Sequence, residues 1–341
     1  MSTILVTGGT GYIGSHTTVE LMESGMDVVI IDNLENSKRE VIDGIREITG
    51  KVPHFEEVDL RDRAATFAVF EKYPDIEAVI HFAAYKAVGE SVDKPLAYYK
   101  NNLLSLVNLL EAMKEHDVEG IVFSSSCTVY GQPEEVPVTE DAPIQVATSP
   151  YGNTKQICEE ILRDVVTAGS GTRVVALRYF NPVGAHPSAK IGELPLGVPA
   201  NLVPFITQTA IGIREQLSVF GDDYNTSDGS AVRDYINVVD LARAHVIAIR
   251  RLIENKQLKP MEVFNLGTGT GLTVLEVIRA FEAATGEKVN YKIVGRREGD
   301  IERVYADTRF ANEELGWKAE ARIEETLLSA WKWEKEIRNI N

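Results

Sequence analysis

Residues 7–14 read Thr7-Gly8-Gly9-Thr10-Gly11-Tyr12-Ile13-Gly14 and join a strand-like run, Ile4–Thr7, to a segment of helical length. Glycines at such a turn let the backbone approach a pyrophosphate, and free N–H groups at the start of the helix attract its negative charge. A glycine-rich turn alone could also serve only tight packing of a strand against a helix. Asp32 favours a dinucleotide site, because it ends the next strand-like run, where a carboxylate can accept hydrogen bonds from ribose hydroxyls. It would repel a 2′-phosphate, so the pattern predicts NAD rather than NADP as the cofactor.

Strand-like runs alternate with segments of helical length through the first half of the chain. The runs are Ile4–Thr7, Val28–Asp32, Phe55–Asp59, Val79–Phe82, Ile121–Ser125 and Val174–Arg178. This alternation predicts an α/β fold with a doubly wound parallel Rossmann sheet, and the continuous apolar runs fit strands buried on both faces. A stretch rich in Gly, Pro and Asn follows. We therefore expect a Rossmann domain at 1–180 and a smaller C-terminal substrate-binding lobe at 181–341, with segments near 235–265 returning to the sheet.

Composition narrows the possible partners of the chain. Its 341 residues carry a formal net charge of −16, which opposes binding to nucleic acid or to an acidic membrane surface. Cys127 and Cys158 are the only cysteines and lack the spacing of a zinc site, so no metal site is predicted. The N-terminus has no signal-peptide pattern, which makes the cytoplasm the expected location. A small anionic substrate would need locally concentrated cations.

A tyrosine and a lysine lie four residues apart where a helix is expected to begin. Tyr151 and Lys155 follow Ser149-Pro150, and their spacing puts both side chains on one helix face. Two nearby cations, an ammonium and a nicotinamide, could lower a tyrosine pKa from about 10 by ~3 units, which takes about 4 kcal/mol. Such a pair is common by chance. Its significance rises because the run Phe123–Gly131 leaves the fifth strand at the same sheet edge and supplies a hydroxyl, Ser126.

In their order and spacing these parts resemble the extended short-chain dehydrogenase/reductase family. Over essentially the whole chain, the sequence is most similar to the members that invert C4 of UDP-hexoses. The shared stretches are Gly8–His16, Asp32–Leu34, His81–Ser91, Phe123–Gly131, Tyr151–Lys155, Arg178–Pro187, Val232–Tyr235, Asn265–Gly269 and Arg296–Asp300. The resemblance implies that hydride passes from C4 to NAD, that a transient 4-keto sugar turns over in the site, and that hydride returns to the opposite face. It also implies a homodimer, with helices near residues 95–115 and 151–168 at the interface.

The resemblance implies roles for individual residues. Tyr151 is the expected catalytic base and acid, Lys155 its electrostatic partner, and Ser126 the hydroxyl that helps to move the proton. The expected cofactor site consists of Gly8, Gly11, Tyr12, Ile13, Gly14, Asp32, Asn33, Asp59, Leu60, Phe82, Ala83, Ala84, Lys86, Asn101, Tyr151, Lys155 and Phe180. The expected UDP-sugar site consists of Ser126, Tyr151, Asn181, Asn201, Leu202, Ser218, Val219, Phe220, Arg233, Arg297, Asp300 and Val304.

Several of these positions also admit a structural interpretation. Asp59 could instead cap the helix that follows it, and His81 is expected to have a structural role in its strand. Arg233 and Arg297 are fork-shaped donors that suit a diphosphate, although each alone would more often form a surface salt bridge.

Val304 bears on substrate range. Relatives restricted to plain hexoses carry a large aromatic residue at this spacing in the wall of the sugar pocket. The small valine predicts acceptance of UDP-N-acetylhexosamines as well. Two alternatives stay open, since Val304 could merely pack a strand, and a slip of one residue would put Tyr305 in the wall.

Three rival functions remain at this point. A nucleotide-sugar 4,6-dehydratase begins with the same oxidation, but relatives of that type place Asp-Glu just after the active-site hydroxyl, where this chain has Cys127-Thr128. A nucleotide-sugar decarboxylase matches the blocks after residue 178 less well. A non-catalytic NAD-sensing module would typically lack the Tyr/Lys pair, which is intact here.

Overall fold

The computed structural model describes residues 2–297 and 300–340. Its strands are β1 (Thr3–Thr7), β2 (Asp27–Asp32), β3 (His54–Glu57), β4 (Ile76–His81), β5 (Gly120–Ser124), β6 (Arg173–Tyr179), β7 (Asn181–Val183), β8 (Leu217–Phe220), β9 (Val232–Asn237), β10 (Met261–Leu266), β11 (Gly271–Thr273), β12 (Tyr291–Val294) and β13 (Arg303–Val304). Its α-helices are α1 (Tyr12–Glu23), α2 (Val41–Thr49), α3 (Arg63–Lys72), α4 (Val88–Asp93), α5 (Pro95–Glu115), α6 (Pro150–Thr167), α7 (Leu202–Ala210), α8 (Val238–Ile253), α9 (Val274–Thr285) and α10 (Ile323–Glu336). A 3₁₀ helix covers Cys127–Tyr130 and a short π-helix covers Ala311–Leu315.

Seven strands form a parallel sheet in the order β3-β2-β1-β4-β5-β6-β10. Alternate residues of each strand face opposite sides, so both faces need a cover of helices. Ile4 and Val6 pack with residues of α1 and α8, whereas Leu5 between them packs with residues of α3, α5 and α6. This arrangement confirms the predicted doubly wound α/β sheet.

The remaining strands lie outside the large sheet. Strand β9 pairs with β7, β11 and β13, and β8 pairs with β12. With α7, α9 and α10 they enclose a separate apolar cluster that includes Leu217, Phe281 and Trp331.

The return of the chain to the large sheet is made by β10, which pairs with β6. The segment near residue 235 does not join that sheet, because it belongs to β9, which ends at Asn237. The Asn237 side chain accepts a hydrogen bond from the Val239 N–H at 2.8 Å and caps α8. A division of the chain at residue 180 stays a prediction. Within the described residues, no helix combines the length and apolarity needed to cross a membrane.

Candidate active site

The glycine turn holds the end of β1 close to the end of β4. Gly8 has a φ of +70°, and a Cβ built on it would lie 2.9 Å from the Ala83 nitrogen. A Cβ on Gly14 would lie 2.2 Å from the Gly8 carbonyl oxygen, a separation that no side chain tolerates. Gly11 is the N-cap of α1 and provides no side-chain cap for the first-turn amides. The turn is thus a glycine-lined cradle in front of a helix N-terminus, which fits a pyrophosphate.

Asp32 lies beside this cradle at the C-terminal end of β2. Its carboxylate is nearly buried and accepts hydrogen bonds from the Thr10 N–H at 3.2 Å and the Leu34 N–H at 2.9 Å. The Ser37 hydroxyl donates a third bond at 3.0 Å. The carboxylate is therefore fixed in orientation next to the glycine turn.

Asp59 does not cap the helix that follows it. Asp62 is the N-cap of α3, while the Asp59 carboxylate accepts hydrogen bonds from the Arg61 backbone at 2.8 Å and from its guanidinium. The Arg61 hydrogen bond lowers the pKa of Asp59 against the opposing effect of burial. Asn33 reaches toward Asp59 at 3.5 Å, so the ends of β2 and β3 meet.

The segment after β4 supplies the next members of the expected cofactor set. Phe82 N–H donates to the Thr7 carbonyl at 3.0 Å, which aligns 82–84 with the glycine turn. Asn101 is buried on α5 and donates to Asn102 at 3.0 Å. His81 is buried, its Nδ1 lies 2.8 Å from the Thr7 hydroxyl, and burial lowers its pKa to about 3. It stays a neutral structural residue.

Helix α6 presents Tyr151 and Lys155 to the end of β5. The Ser149 side chain caps the helix by accepting from the Gly152 N–H at 3.1 Å, and Pro150 occupies its first turn. Both Tyr151 and Lys155 are buried, and the Lys155 ammonium donates to the Ser124 carbonyl at 2.6 Å. The helix therefore places both side chains at the carboxyl end of the parallel strands, where the glycine turn also lies.

Burial dominates the electrostatics of this pair. It raises the pKa of Tyr151 well above its usual value, with Tyr179 acting in the same direction and the Ser126 hydroxyl opposing both. Burial also lowers the pKa of Lys155 to about 8. Cations that favour a Tyr151 phenolate must therefore overcome this desolvation.

Ser126 begins the 3₁₀ helix and faces Tyr151. Its hydroxyl accepts from the Thr128 N–H at 3.2 Å and from the Thr128 hydroxyl at 3.0 Å. The Ser126 hydroxyl lies near enough to Tyr151 to lower the pKa of that phenol, so the structure brings together two hydroxyls from different elements. Such a pair can pass a proton to and from a bound alcohol.

The expected UDP-sugar residues fall into two groups. In the first, the Arg297 guanidinium lies 4.5 Å from the centroid of the Phe220 ring, and Arg233 forms an ion pair with Asp300. Ser218 and Val219 precede Phe220 on β8. Glu298 and Gly299, which complete the shared block around Arg297, lie outside the described residues. This first group contains two guanidinium groups, a side chain that suits a diphosphate.

The second group lies nearer the cofactor cradle and centres on a residue that the motifs did not reveal. The Glu193 carboxylate accepts a hydrogen bond from the Asn201 amide and lies 3.5 Å from the Lys86 ammonium. Tyr12 donates to the Gly184 carbonyl at 2.6 Å, and burial, reinforced by Glu193, raises its pKa. Members of the expected cofactor and sugar sets thus converge on Glu193.

Other positions of the expected sets lie on β7, at the start of α7 and in a small apolar cluster. Asn201 and Leu202 stand at the start of α7, and Asn181 begins β7. Phe180 is buried in one cluster with Val304, Val129 and Tyr130, below the Ser126 segment.

Fold and site together define an extended short-chain dehydrogenase/reductase with a site for NAD, since the glycine cradle, the uncapped helix start and Asp32 fit that dinucleotide. A family model described as GDP-mannose 4,6 dehydratase matches residues 5–329. UDP-glucose 4-epimerase of Bacillus subtilis (strain 168) is 54% identical over 338 residues, which cover 99% of this chain and 98% of that protein.

Two solved structures also resemble this chain over nearly its whole length. UDP-glucose 4-epimerase from Stenotrophomonas maltophila, with bound NAD and formylated UDP-arabinopyranose, has a TM-score of 0.96 at 47% identity and covers 99% of both chains. The enzyme from Bifidobacterium longum, in complex with NAD+ and UDP, has a TM-score of 0.94 at 49% identity and the same coverage. The chain belongs to the UDP-glucose 4-epimerase family, and as a member of it is an isomerase that uses NAD.

Proposed function

We propose that the protein interconverts UDP-glucose and UDP-galactose by inverting C4 of the hexose through a transient 4-keto sugar. The observation that carries this proposal is the meeting of Tyr151, Lys155 and Ser126 at the sheet edge that holds the glycine cradle. Full-length similarity to UDP-glucose 4-epimerases supports the same substrate class.

Tyr151 takes the proton from the sugar 4-hydroxyl and later returns it to the new 4-hydroxyl. Ser126 shares that proton through its hydroxyl, and the Lys155 ammonium stabilises the phenolate. NAD, when bound, accepts the hydride from C4 and gives it back to the opposite face of the ketone. No external oxidant is consumed in this cycle.

The cofactor is held by the glycine turn with Tyr12 and Ile13, by Asp32 and Asn33 at the end of β2, and by the residues that follow β3 and β4. Asp59-Leu60 and Phe82-Ala83-Ala84 are those residues, with Lys86, Asn101 and Phe180 completing the set. The Asp32 carboxylate is fixed by backbone N–H groups, and it would accept a hydrogen bond from a ribose 2′-hydroxyl and repel a 2′-phosphate.

UDP is anchored by the forked cations Arg233 and Arg297, with Asp300, the segment Ser218–Phe220, Asn181 and Asn201-Leu202 around the nucleotide. In this proposal most contacts hold the nucleotide and few hold the hexose. The sugar can therefore rotate between the two hydride transfers while the nucleotide stays bound.

A 4,6-dehydratase is the second candidate, because the matching family model carries that description. Elimination of water needs an acid and a base beside the ketone. Cys127 and Thr128 occupy those positions, and burial raises the pKa of the Cys127 thiol to about 12, which keeps it protonated. The residues beside Ser126 therefore favour epimerisation. No feature of the described residues specifically favours a decarboxylase or a non-catalytic NAD sensor.

The proposal includes a second copy of the chain as partner and a cellular location. A homodimer would be joined by α5 and α6, which pack side by side. The proposed location is the cytoplasm, where UDP-sugars would be available to the enzyme.

The test is incubation of the purified protein with UDP-galactose and no added reductant. Formation of UDP-glucose up to a constant ratio is expected. A product that has lost water, or no product at all from NAD-loaded protein, would contradict the proposal.

A further inference from the structure

A buried ion pair lies directly beneath the Ser126 segment. The Arg178 guanidinium on β6 donates to both carboxylate oxygens of Glu159 on α6, at 2.9 and 2.6 Å, and each side chain is 4% exposed. A buried pair of charges brings little net stability compared with apolar packing, so its other contacts indicate what it does.

The Glu159–Arg178 ion pair forms hydrogen bonds with both ends of the segment 125–130, which carries Ser126. At the first end, the Ser125 hydroxyl donates to Glu159 at 2.6 Å. At the second end, Arg178 donates to the Tyr130 hydroxyl at 3.0 Å, and its guanidinium lies 4.8 Å from the centroid of that ring. The ion pair thus spans residues 125–130 from below.

The same helix face joins this clamp to Tyr151. Tyr151, Lys155 and Glu159 follow one another at intervals of four residues, and all three are buried. Lys155 binds the Ser124 carbonyl, and Glu159 binds the hydroxyl of the next residue, Ser125. The helix that carries Tyr151 is therefore attached at two adjacent points to the strand end that carries Ser126.

We propose that Glu159, held by Arg178, is a positioning residue that fixes the Ser126 hydroxyl relative to Tyr151 by binding Ser125. This role rests on the proposed epimerase function, since it concerns the proton transfer of that reaction. A displacement of about 1 Å at a reacting group can cost on the order of 100-fold in rate. Partial release of the segment therefore costs turnover before it costs binding, because the UDP anchors lie on other elements.

The hydrogen bond to test is the one from Ser125, because Glu159→Gln would leave Arg178 as a buried charge without a partner and would endanger folding. Ser125→Ala leaves the Glu159–Arg178 ion pair intact and removes only the hydrogen bond between Ser125 and Glu159. Ser91→Ala is the matched control: Ser91 is equally buried, but its hydroxyl donates within α4 to the Val88 carbonyl.

The measurements are steady-state kinetics with UDP-galactose across pH, the thermal midpoint, and ultraviolet titration of tyrosine in NAD-loaded enzyme. For Ser125→Ala we expect kcat to fall about tenfold, KM to stay within about twofold, and both the pH profile of kcat and the tyrosine titration to move. Ser91→Ala should match the wild type in kinetics and titration.

Two outcomes would overturn the proposal. A Ser125→Ala enzyme with wild-type kcat and pH profile would show that Ser125 does not position the site. A fall in kcat that is equal in both variants and follows the thermal midpoint would reduce its role to packing. An inactive wild-type enzyme would instead contradict the proposed function itself, and the inference with it.

Discussion

Tyr151 combines two properties that usually oppose each other. It is the residue proposed to lose a proton, yet its burial raises its pKa. Burial also lowers the pKa of Lys155, whose ammonium form would stabilise a phenolate, to about 8. Proton transfer at this site therefore depends on the charges and hydroxyls that surround Tyr151 more than on solvent.

Tyr151→Phe removes the proton-transfer group and little else. We expect turnover of UDP-galactose to fall by about 10²- to 10⁴-fold, the usual contribution of general acid–base catalysis. NAD content after purification and the thermal midpoint should stay close to the wild type. The matched control is Tyr73→Phe, whose hydroxyl binds Glu56 at the opposite edge of the fold. Near-wild-type turnover by Tyr151→Phe would contradict the proton-transfer role.

Some site residues could be predicted from sequence because their signal is local. Gly8 to Gly14, Asp32 and the Tyr151/Lys155 pair are defined by short spacings around single strands or helices. Glu159 continues the four-residue spacing of that pair, but nothing local marks its role or that of Glu193, because their partners Lys86, Ser125 and Arg178 lie far from them in the chain. Contacts of that kind appear only once the strands are ordered.

At the scale of elements, strand β13 decides which side chain faces the Ser126 segment. Val304 pairs with Arg233 of β9 and is buried in the cluster of Phe180, Val129 and Tyr130. Tyr305 points elsewhere, since a Cβ on Gly271 would lie 3.0 Å from its ring. Val304 and Tyr305 therefore face different sides of β13, and a place for Val304 in the wall of the sugar pocket stays a prediction beside its packing role.

Val304→Tyr should therefore change substrate range. A large ring in a filled pocket costs roughly 1–3 kcal/mol, which corresponds to about 10- to 200-fold in discrimination. We expect kcat/KM for UDP-N-acetylglucosamine to fall by that factor while kcat/KM for UDP-glucose changes little. An equal loss on both substrates would favour the packing role, and no activity of the wild type on the acetylated sugar would refute the hypothesis.

The start of a helix can be read from the sequence where a residue with a capping side chain stands at that position. Ser149 begins α6 and Asn237 begins α8 through side-chain hydrogen bonds. The apolar residues Val238 and Val239 begin α8 rather than prolong β9, and only the cap at Asn237 marks that boundary, because hydrophobic periodicity does not register a cap.

At the scale of the whole molecule, helix α5 carries an exposed apolar strip. Leu96 is 82% exposed, and Leu104 and Val107, three residues apart, are each 37% exposed. A second copy of the chain would cover such a strip and the neighbouring α6.

We predict a homodimer joined through this strip. Light scattering of the purified protein at micromolar concentration should give twice the mass of the chain, and Leu104→Glu should shift it toward the monomer. Leu258→Glu, at an exposed leucine outside α5, is the matched control and should leave the mass unchanged. A monomeric wild type would refute the prediction.

The parallel sheet was predictable because most of its strands, β1 and β2 among them, read as continuous apolar runs between segments of helical length. The smaller sheets were not, because β7, β11 and β13 span two or three residues and carry no periodicity. Their pairing with β9 is set by the tertiary fold.

The central claim is that hydride leaves C4 and returns to it within one site. UDP-galactose that carries deuterium at C4 tests this most directly, with the UDP-glucose product examined by mass spectrometry and NMR. The account predicts that the product keeps its deuterium at C4 and gains none of the solvent hydrogen there. Loss of the label to water during conversion, or its recovery in a dehydrated sugar, would contradict the account.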